Sequence, residues 1–176
     1  MKLLVCGGAG FIGSLFVRIR AREHGDEVTV LDKLTYAGRE ENLADLRDSP
    51  GFGFVRAGIE DPDAVAEAME GRDAVVNFAA ETHVDRSIAE PDAFVTTHSQ
   101  GTYVLLEAAR ERNLRYVQVS TDEVYGSIEE GSFTEESPLA PSSPYSATKA
   151  GADLLVWSYF HTFGLPTLIA RAKSST

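Results

Sequence analysis

Cysteine is nearly absent: Cys6 stands alone among 176 residues. That excludes an internal disulfide, fits a reducing compartment, and makes a cytoplasmic location the expectation. At the end of an apolar run, Cys6 reads as a small residue closing a buried strand. Long apolar stretches are missing as well. Nothing approaches the roughly 20 residues that span a bilayer, and the first glycines arrive too early for a secretory signal, so no membrane partner is expected. Cations are scarce, with 16 Lys and Arg against 27 Asp and Glu and a net charge of −11. With no basic stripe, nucleic acid is excluded as a partner. A phosphate-bearing ligand then needs help from helix N-termini or a few placed cations. His24, His83, His98 and His161 show no ligand spacing, so no metal site is expected.

What is present is a hydrophobic content of 43%, enough for a well-buried core, with 24% charged residues. Strand-like runs recur at 3–6, 28–31, 52–55, 74–78, 116–120 and 167–170, most of them short, branched and apolar as strands buried on both faces should be. Helical stretches fall at 12–22, 62–69, 93–112 and 145–163, with irregular segments at 33–41 and 126–144. Strands alternating with helices predict an α/β fold, a Rossmann-type doubly wound parallel sheet flanked by helices. The domain is expected over 1–171, with a divergent stub at 172–176.

Gly8-x-Gly10-x-x-Gly13 follows a strand and opens a helix, the context a dinucleotide fingerprint requires. Glycine there permits a tight turn and lets backbone N–H groups approach a pyrophosphate. Asp32 ends the next strand about 20 residues beyond Gly13, where an acid binds both ribose hydroxyls. It would repel a 2′-phosphate, favouring NAD over NADP, although Lys33 beside it works the other way.

A second set of residues carries chemistry. Ser143-Pro144 reads as an N-cap with proline at the first helical position, so Tyr145 and Lys149 stack one turn apart on one face. A free phenol titrates at about 10; a nearby ammonium and a positive nicotinamide ring are expected to favour its phenolate. Thr121-Asp122-Glu123 follows a strand that belongs beside the cofactor cleft. Its hydroxyl suits the alcohol being oxidised, and its two carboxylates suit an acid and a base if their surroundings separate their pKa values. The alternatives are a surface Tyr and Lys, and polar residues of an ordinary turn.

Through these residues the chain resembles the extended short-chain dehydrogenase/reductase family, and within it the dTDP-glucose 4,6-dehydratases. The stretches that carry the likeness are Leu31-Asp32-Lys33-Leu34-Thr35-Tyr36-Ala37-Gly38, Phe78-Ala79-Ala80-Glu81-Thr82-His83-Val84-Asp85-Arg86-Ser87, and Ser120 to Gly126. The resemblance implies NAD held by Gly7, Gly10, Phe11, Ile12, Gly13, Asp32, Lys33, Thr35, Gly38, Ile59, Phe78, Ala79, Ala80, Tyr145 and Lys149. It implies a nucleotide-sugar substrate met by Thr82, His83, Asp85, Ser87, Thr121, Asp122 and Glu123. In the implied chemistry Tyr145, aided by Thr121, takes the proton of the sugar 4-hydroxyl while C4 gives hydride to NAD. Glu123 then removes the C5 proton, protonated Asp122 helps the C6 hydroxyl leave as water, and hydride returns to C6. Lys149 holds the nicotinamide ribose and tunes Tyr145.

Departures from the family pattern accompany the likeness. Gly58 stands where an aspartate usually meets the adenine, His98 where an asparagine lies beneath the active site, and Ser99 where an apolar residue is usual. Ser174 and Ser175 stand in place of two asparagines, and the chain leaves the pattern where a substrate domain follows, so that domain is expected to be missing. Two rival functions stay open: a sibling nucleotide-sugar epimerase or decarboxylase, and a non-catalytic protein that binds NAD or a partner. Leu154, Leu155, Val156, Trp157, Tyr159, Phe160 and Phe163 are too many apolar residues for one helical stripe. The resemblance implies a homodimer packed through this helix and the one at 93–112.

Overall fold

A computed structural model describes residues 1–82, 84–128 and 130–173. Six strands form one parallel sheet in the order β3-β2-β1-β4-β5-β6. They are β1 (Lys2–Cys6), β2 (Glu27–Leu31), β3 (Phe52–Val55), β4 (Ala74–Asn77), β5 (Arg115–Thr121) and β6 (Thr167–Ala172). Each predicted strand is present, and β6 runs two residues further than its apolar pattern suggests, because Arg171 stays in register with Ser120. The chain reverses direction across the sheet between β1 and β4, the point where doubly wound folds bind ligands beyond the carboxyl ends of their strands.

Alternation along the central strands builds a core on each face. Leu4, Cys6 and Leu31 join Val65, Met69, Leu105, Leu106, Tyr116 and Val156 on one side. Leu3, Val5, Val28 and Val30 join Val17, Leu43 and Leu46 on the other. The covering helices are α1 (Phe11–Arg18), α2 (Pro62–Ala68), α3 (Val84–Ala89), α4 (Pro91–Phe94), α5 (Thr102–Glu111) and α6 (Pro144–Phe163). Widened π turns extend α1 through Ile19–Glu23 and join α4 to α5 through Val95–Gly101, so the predicted helix at 93–112 is continuous but not uniform. Helix α3 and the 3-10 turn Glu40–Leu46 have no counterpart among the predicted elements.

Helix α6 starts as its sequence predicts. Ser143 and Ser146 form a reciprocal capping box, Pro144 occupies the first turn, and Gly164 closes the far end at φ 68° in the left-handed region. One face of α6 buries Val156 and Tyr159, while Leu154, Trp157, Phe160 and Phe163 remain exposed. No helix among the described residues is long and apolar enough to cross a membrane, and no cluster of metal-ligating side chains is found among them.

Candidate functional site

The strands end in register, which brings the loop after β1, Asp32 after β2 and Phe78 after β4 to one edge of the sheet. Cys6 pairs with both Leu31 and Asn77, and Leu31 with Val55. Gly7 turns the chain at φ +70°, and a Cβ there would lie 2.5 Å from the Ala79 nitrogen. A Cβ on Gly13 would overlap the Gly7 carbonyl oxygen. These two glycines therefore let the loop close against β4 and let α1 start directly above it. No described side chain caps α1 at Gly10, so its first-turn amides face a cleft of about 450 Å³.

Every residue assigned to the cofactor from the sequence lines that one cleft, from Gly7 through Asp32 and Ile59 to Tyr145 and Lys149. Asp32 is buried, and its two carboxylate oxygens accept from the Ala9 N–H at 3.0 Å and the Leu34 N–H at 2.9 Å. Each oxygen keeps a lone pair for a ribose hydroxyl. Lys33 does not stand free beside it: its ammonium lies 3.2 Å from Glu81 and donates to the Thr97 hydroxyl at 3.0 Å. Ser120 contributes a buried hydroxyl to the wall with no hydrogen-bond partner among the described residues. An uncapped helix start, a buried acid with spare lone pairs and an orphan hydroxyl in one elongated cleft are what a dinucleotide requires.

The reacting groups meet at the far end of this cleft. Lys149 is buried and donates to the Val119 carbonyl at 2.8 Å. Burial lowers its pKa to about 8 against the pull of Asp153. Tyr145 is pushed up to about 12, by burial first and the Glu123 charge next, while a hydrogen bond with Thr121 acts the other way and Asp122 adds to the rise. The ammonium alone therefore does not make a phenolate of Tyr145; the expectation also included the positive nicotinamide ring, which the chain by itself does not supply. One Lys149 N–H is committed to the β5 backbone, and the Glu123 and Asp122 carboxylates oppose ionisation of the phenol. Glu123 is itself raised, by burial and then by Asp122, which makes it a stronger base than a free carboxylate.

The turn Asp122–Tyr125 that carries the two acids is fixed on several sides. Thr121 caps it, accepting from the Glu123 N–H at 3.3 Å. Tyr125 stacks on Phe133 with ring centroids 5.1 Å apart, and its hydroxyl accepts from Arg171 at 2.7 Å. Arg171 is anchored in turn on buried Asp153 at 2.8 Å. Thr121, Asp122 and Glu123 stand beside Tyr145 but do not line the cofactor cleft itself.

The residues assigned to substrate separate. Thr82 lines the cleft and Asp85 is exposed. Ser87, in contrast, turns inward: it is fully buried, donates to the Val84 carbonyl at 2.6 Å and accepts from the Tyr145 N–H at 3.1 Å. It holds the start of α6 from the packed face of α3. His83 and the pair Ser174 and Ser175 lie outside the described residues.

Three contacts were not legible in the sequence. Tyr36 accepts from the Thr82 N–H at 2.8 Å and donates to the Thr82 carbonyl at 3.0 Å, latching the loop after β2 across the cleft mouth. Arg86 lies over its ring at 4.0 Å. Buried His98 accepts from the Glu81 N–H at 3.1 Å and pairs with the Thr148 hydroxyl at 2.8 Å, which donates to the Tyr145 carbonyl. Of these residues His98, Tyr36, Thr82, Glu81 and Arg86 were marked by the resemblance, but the contacts among them were not, and Thr148 carried no signal.

A family model described as GDP-mannose 4,6 dehydratase matches residues 4–174. The chain is 56% identical over 97% of its length to the low-salt glycan biosynthesis protein Agl12 of Haloferax volcanii. It is 52% identical over 99% of its length to a dTDP-glucose 4,6-dehydratase of Streptomyces niveus. It covers 56% and 54% of those two proteins, about half their length. Among solved structures, DesIV, a dTDP-glucose 4,6-dehydratase from Streptomyces venezuelae with NAD bound, superposes with a TM-score of 0.94 at 52% identity. That match covers 97% of this chain and 55% of DesIV.

Proposed function

The chain belongs to the GDP-mannose 4,6-dehydratase family, and from that premise we propose that it carries the NAD-binding and reacting half of a dTDP-glucose 4,6-dehydratase. The observation that supports the proposal is that Asp122 and Glu123 come close enough to Tyr145 for their charges to raise its pKa, beside a cleft whose lining suits a dinucleotide. Oxidation alone needs the phenol; two acids beside it serve the removal of a proton and the departure of water.

NAD fits the first-turn amides of α1 at its pyrophosphate, Asp32 at a ribose, and Lys149 with Tyr145 at its reactive end. Bound there, it supplies reversible hydride acceptance, so that an alcohol carbon is oxidised and the hydride is later given back. Lys33, committed to Glu81 and Thr97, is withdrawn from any 2′-phosphate, which supports NAD over NADP. Tyr145 takes the sugar 4-hydroxyl proton, with Thr121 sharing the hydrogen bond. The positive ring of the oxidised cofactor favours the phenolate that the chain's own charges oppose. Glu123, its pKa raised by burial and then by Asp122, removes the proton that the 4-ketone acidifies at C5. Asp122 gives its proton to the departing C6 hydroxyl.

The exposed apolar face of α6, with Tyr103 on α5, supports a homodimer packed through these helices. Incubation with dTDP-glucose and NAD tests the reading: mass spectrometry should find a 4-keto-6-deoxy sugar nucleotide, lighter by one water. NAD binding without any dehydrated product would favour the rival reading of a cofactor-binding chain without turnover.

A further inference from the structure

Asp122 and Glu123 stand on a short turn, and what holds that turn against α6 decides where they point. Its near end is tied directly: Thr121 caps the turn and shares a hydrogen bond with the Tyr145 phenol. Beyond the acids, Val124 and Tyr125 cluster with Ala150 of α6, an apolar and therefore non-directional contact. Arg171 supplies a directional link at this far end. Strand β6 follows β5 to its last residue, pairing Arg171 with Ser120 and Ala172 with Thr121, so Arg171 stands where the turn leaves the sheet. Its Nε donates to Asp153 Oδ2 at 2.8 Å and its Nη1 to the Tyr125 hydroxyl at 2.7 Å. Asp153 is buried on α6, about two helical turns beyond Tyr145, and Tyr125 ends the turn that Asp122 begins.

A guanidinium is planar and its N–H groups keep fixed angles, so one side chain sets the spacing between α6 and the end of the turn. Neutralising buried Asp153 needs only a cation. The second bond, to a hydroxyl on the acid-bearing turn, serves something else. We propose that Arg171 is a positioning residue for the loss of water, a strut from α6 that holds Asp122 and Glu123 in place against the phenol and the sugar. A turn tied at one end can swing; tied at both, it fixes the two acids between its ends. Oxidation runs through Tyr145, Lys149 and the cofactor and does not depend on the strut. Removal of the C5 proton and departure of the C6 hydroxyl do. The role rests on the dehydratase reading above.

Tyr125→Phe cuts the strut with the least disturbance, since the ring keeps its stack on Phe133 and Arg171 keeps Asp153. Arg171→Lys keeps a cation against Asp153 but loses the fork. Both are compared with the wild type by rapid mixing of NAD-loaded protein with dTDP-glucose, following the absorbance of reduced cofactor and the dehydrated product. In both variants reduced cofactor should form at close to the wild-type rate. Water loss should fall by about tenfold or more, the scale of an ångström-sized misplacement, so that reduced cofactor accumulates. Combining the two substitutions should cost no more than Arg171→Lys alone, because they cut one link. A second readout needs no turnover. The carboxyl NMR titration of Glu123, assigned with Glu123→Gln, should move down towards the ordinary carboxylate range in Tyr125→Phe, as a loosened turn gives up the burial that raises it. Water loss at the wild-type rate in Tyr125→Phe, equal slowing of both steps, or an unmoved Glu123 titration would overturn the strut and leave the dehydratase reading standing. A wild type that releases no dehydrated product would overturn the role together with that reading.

Discussion

Tyr145 has to lose a proton in surroundings that hold the proton on. Burial and the neighbouring Glu123 and Asp122 carboxylates raise its pKa to about 12, so the chain alone keeps a neutral phenol at every pH near neutrality. Difference absorbance between the wild type and Tyr145→Phe should show no phenolate signal below about pH 10, the value for free tyrosine, until NAD is added. A phenolate at neutral pH without cofactor would contradict this. His98 offers a second test at the same scale. Burial first, then the Lys149 charge, lowers its pKa from 6.5 to about 3. The unfolded chain therefore binds a proton that the folded one refuses between those values. The stability this residue provides is complete above about pH 6.5 and is lost as pH falls towards 3, at up to about 1.4 kcal/mol per pH unit. Urea unfolding at pH 7 and pH 5 should show a larger loss for the wild type than for His98→Asn. Equal losses would mean that His98 is charged or exposed.

At the scale of elements, the reacting end is assembled by the starts and ends of segments. Helix α6 has its first-turn amides satisfied from two sides, by Ser143 within the capping box and by Ser87 from α3. Ser87→Ala strips the acceptor from the Tyr145 N–H and should lower stability by about 1–3 kcal/mol, read by denaturant unfolding. No change would mean that water reaches that amide. The strands and helix α6 were legible because their signals are local: β3 at 52–55 is a bounded apolar run, and Ser143-Pro144 with Gly164 marks both ends of a helix. Helix α3 was not, since six residues give too few turns for a periodic pattern. Its burial of Ser87 followed from that gap. Likewise, Tyr36 and Thr82 meet across 46 residues, and Glu60 covers Gly58 through side-chain conformation; neither leaves a trace in spacing.

For the molecule as a whole, a parallel sheet with its strand ends in register puts a dinucleotide cleft, a phenol and two acids along one edge. Along helix α6, beyond its reacting start, Leu154, Trp157, Phe160 and Phe163 face solvent. A homodimer through that face should give twice the monomer mass by light scattering at micromolar concentration, and Trp157→Glu should halve it. A monomeric wild type would remove the dimer from the account. The central claim is that the acids eliminate water while the phenol oxidises, and its most direct test is Asp122→Asn combined with Glu123→Gln. Loaded with NAD and given dTDP-glucose, the wild type should yield dehydrated product without a lasting rise in the near-ultraviolet absorbance of reduced cofactor. The double variant should accumulate that absorbance and release no dehydrated product. Water loss at the wild-type rate in the double variant, or none from the NAD-loaded wild type, would contradict the account.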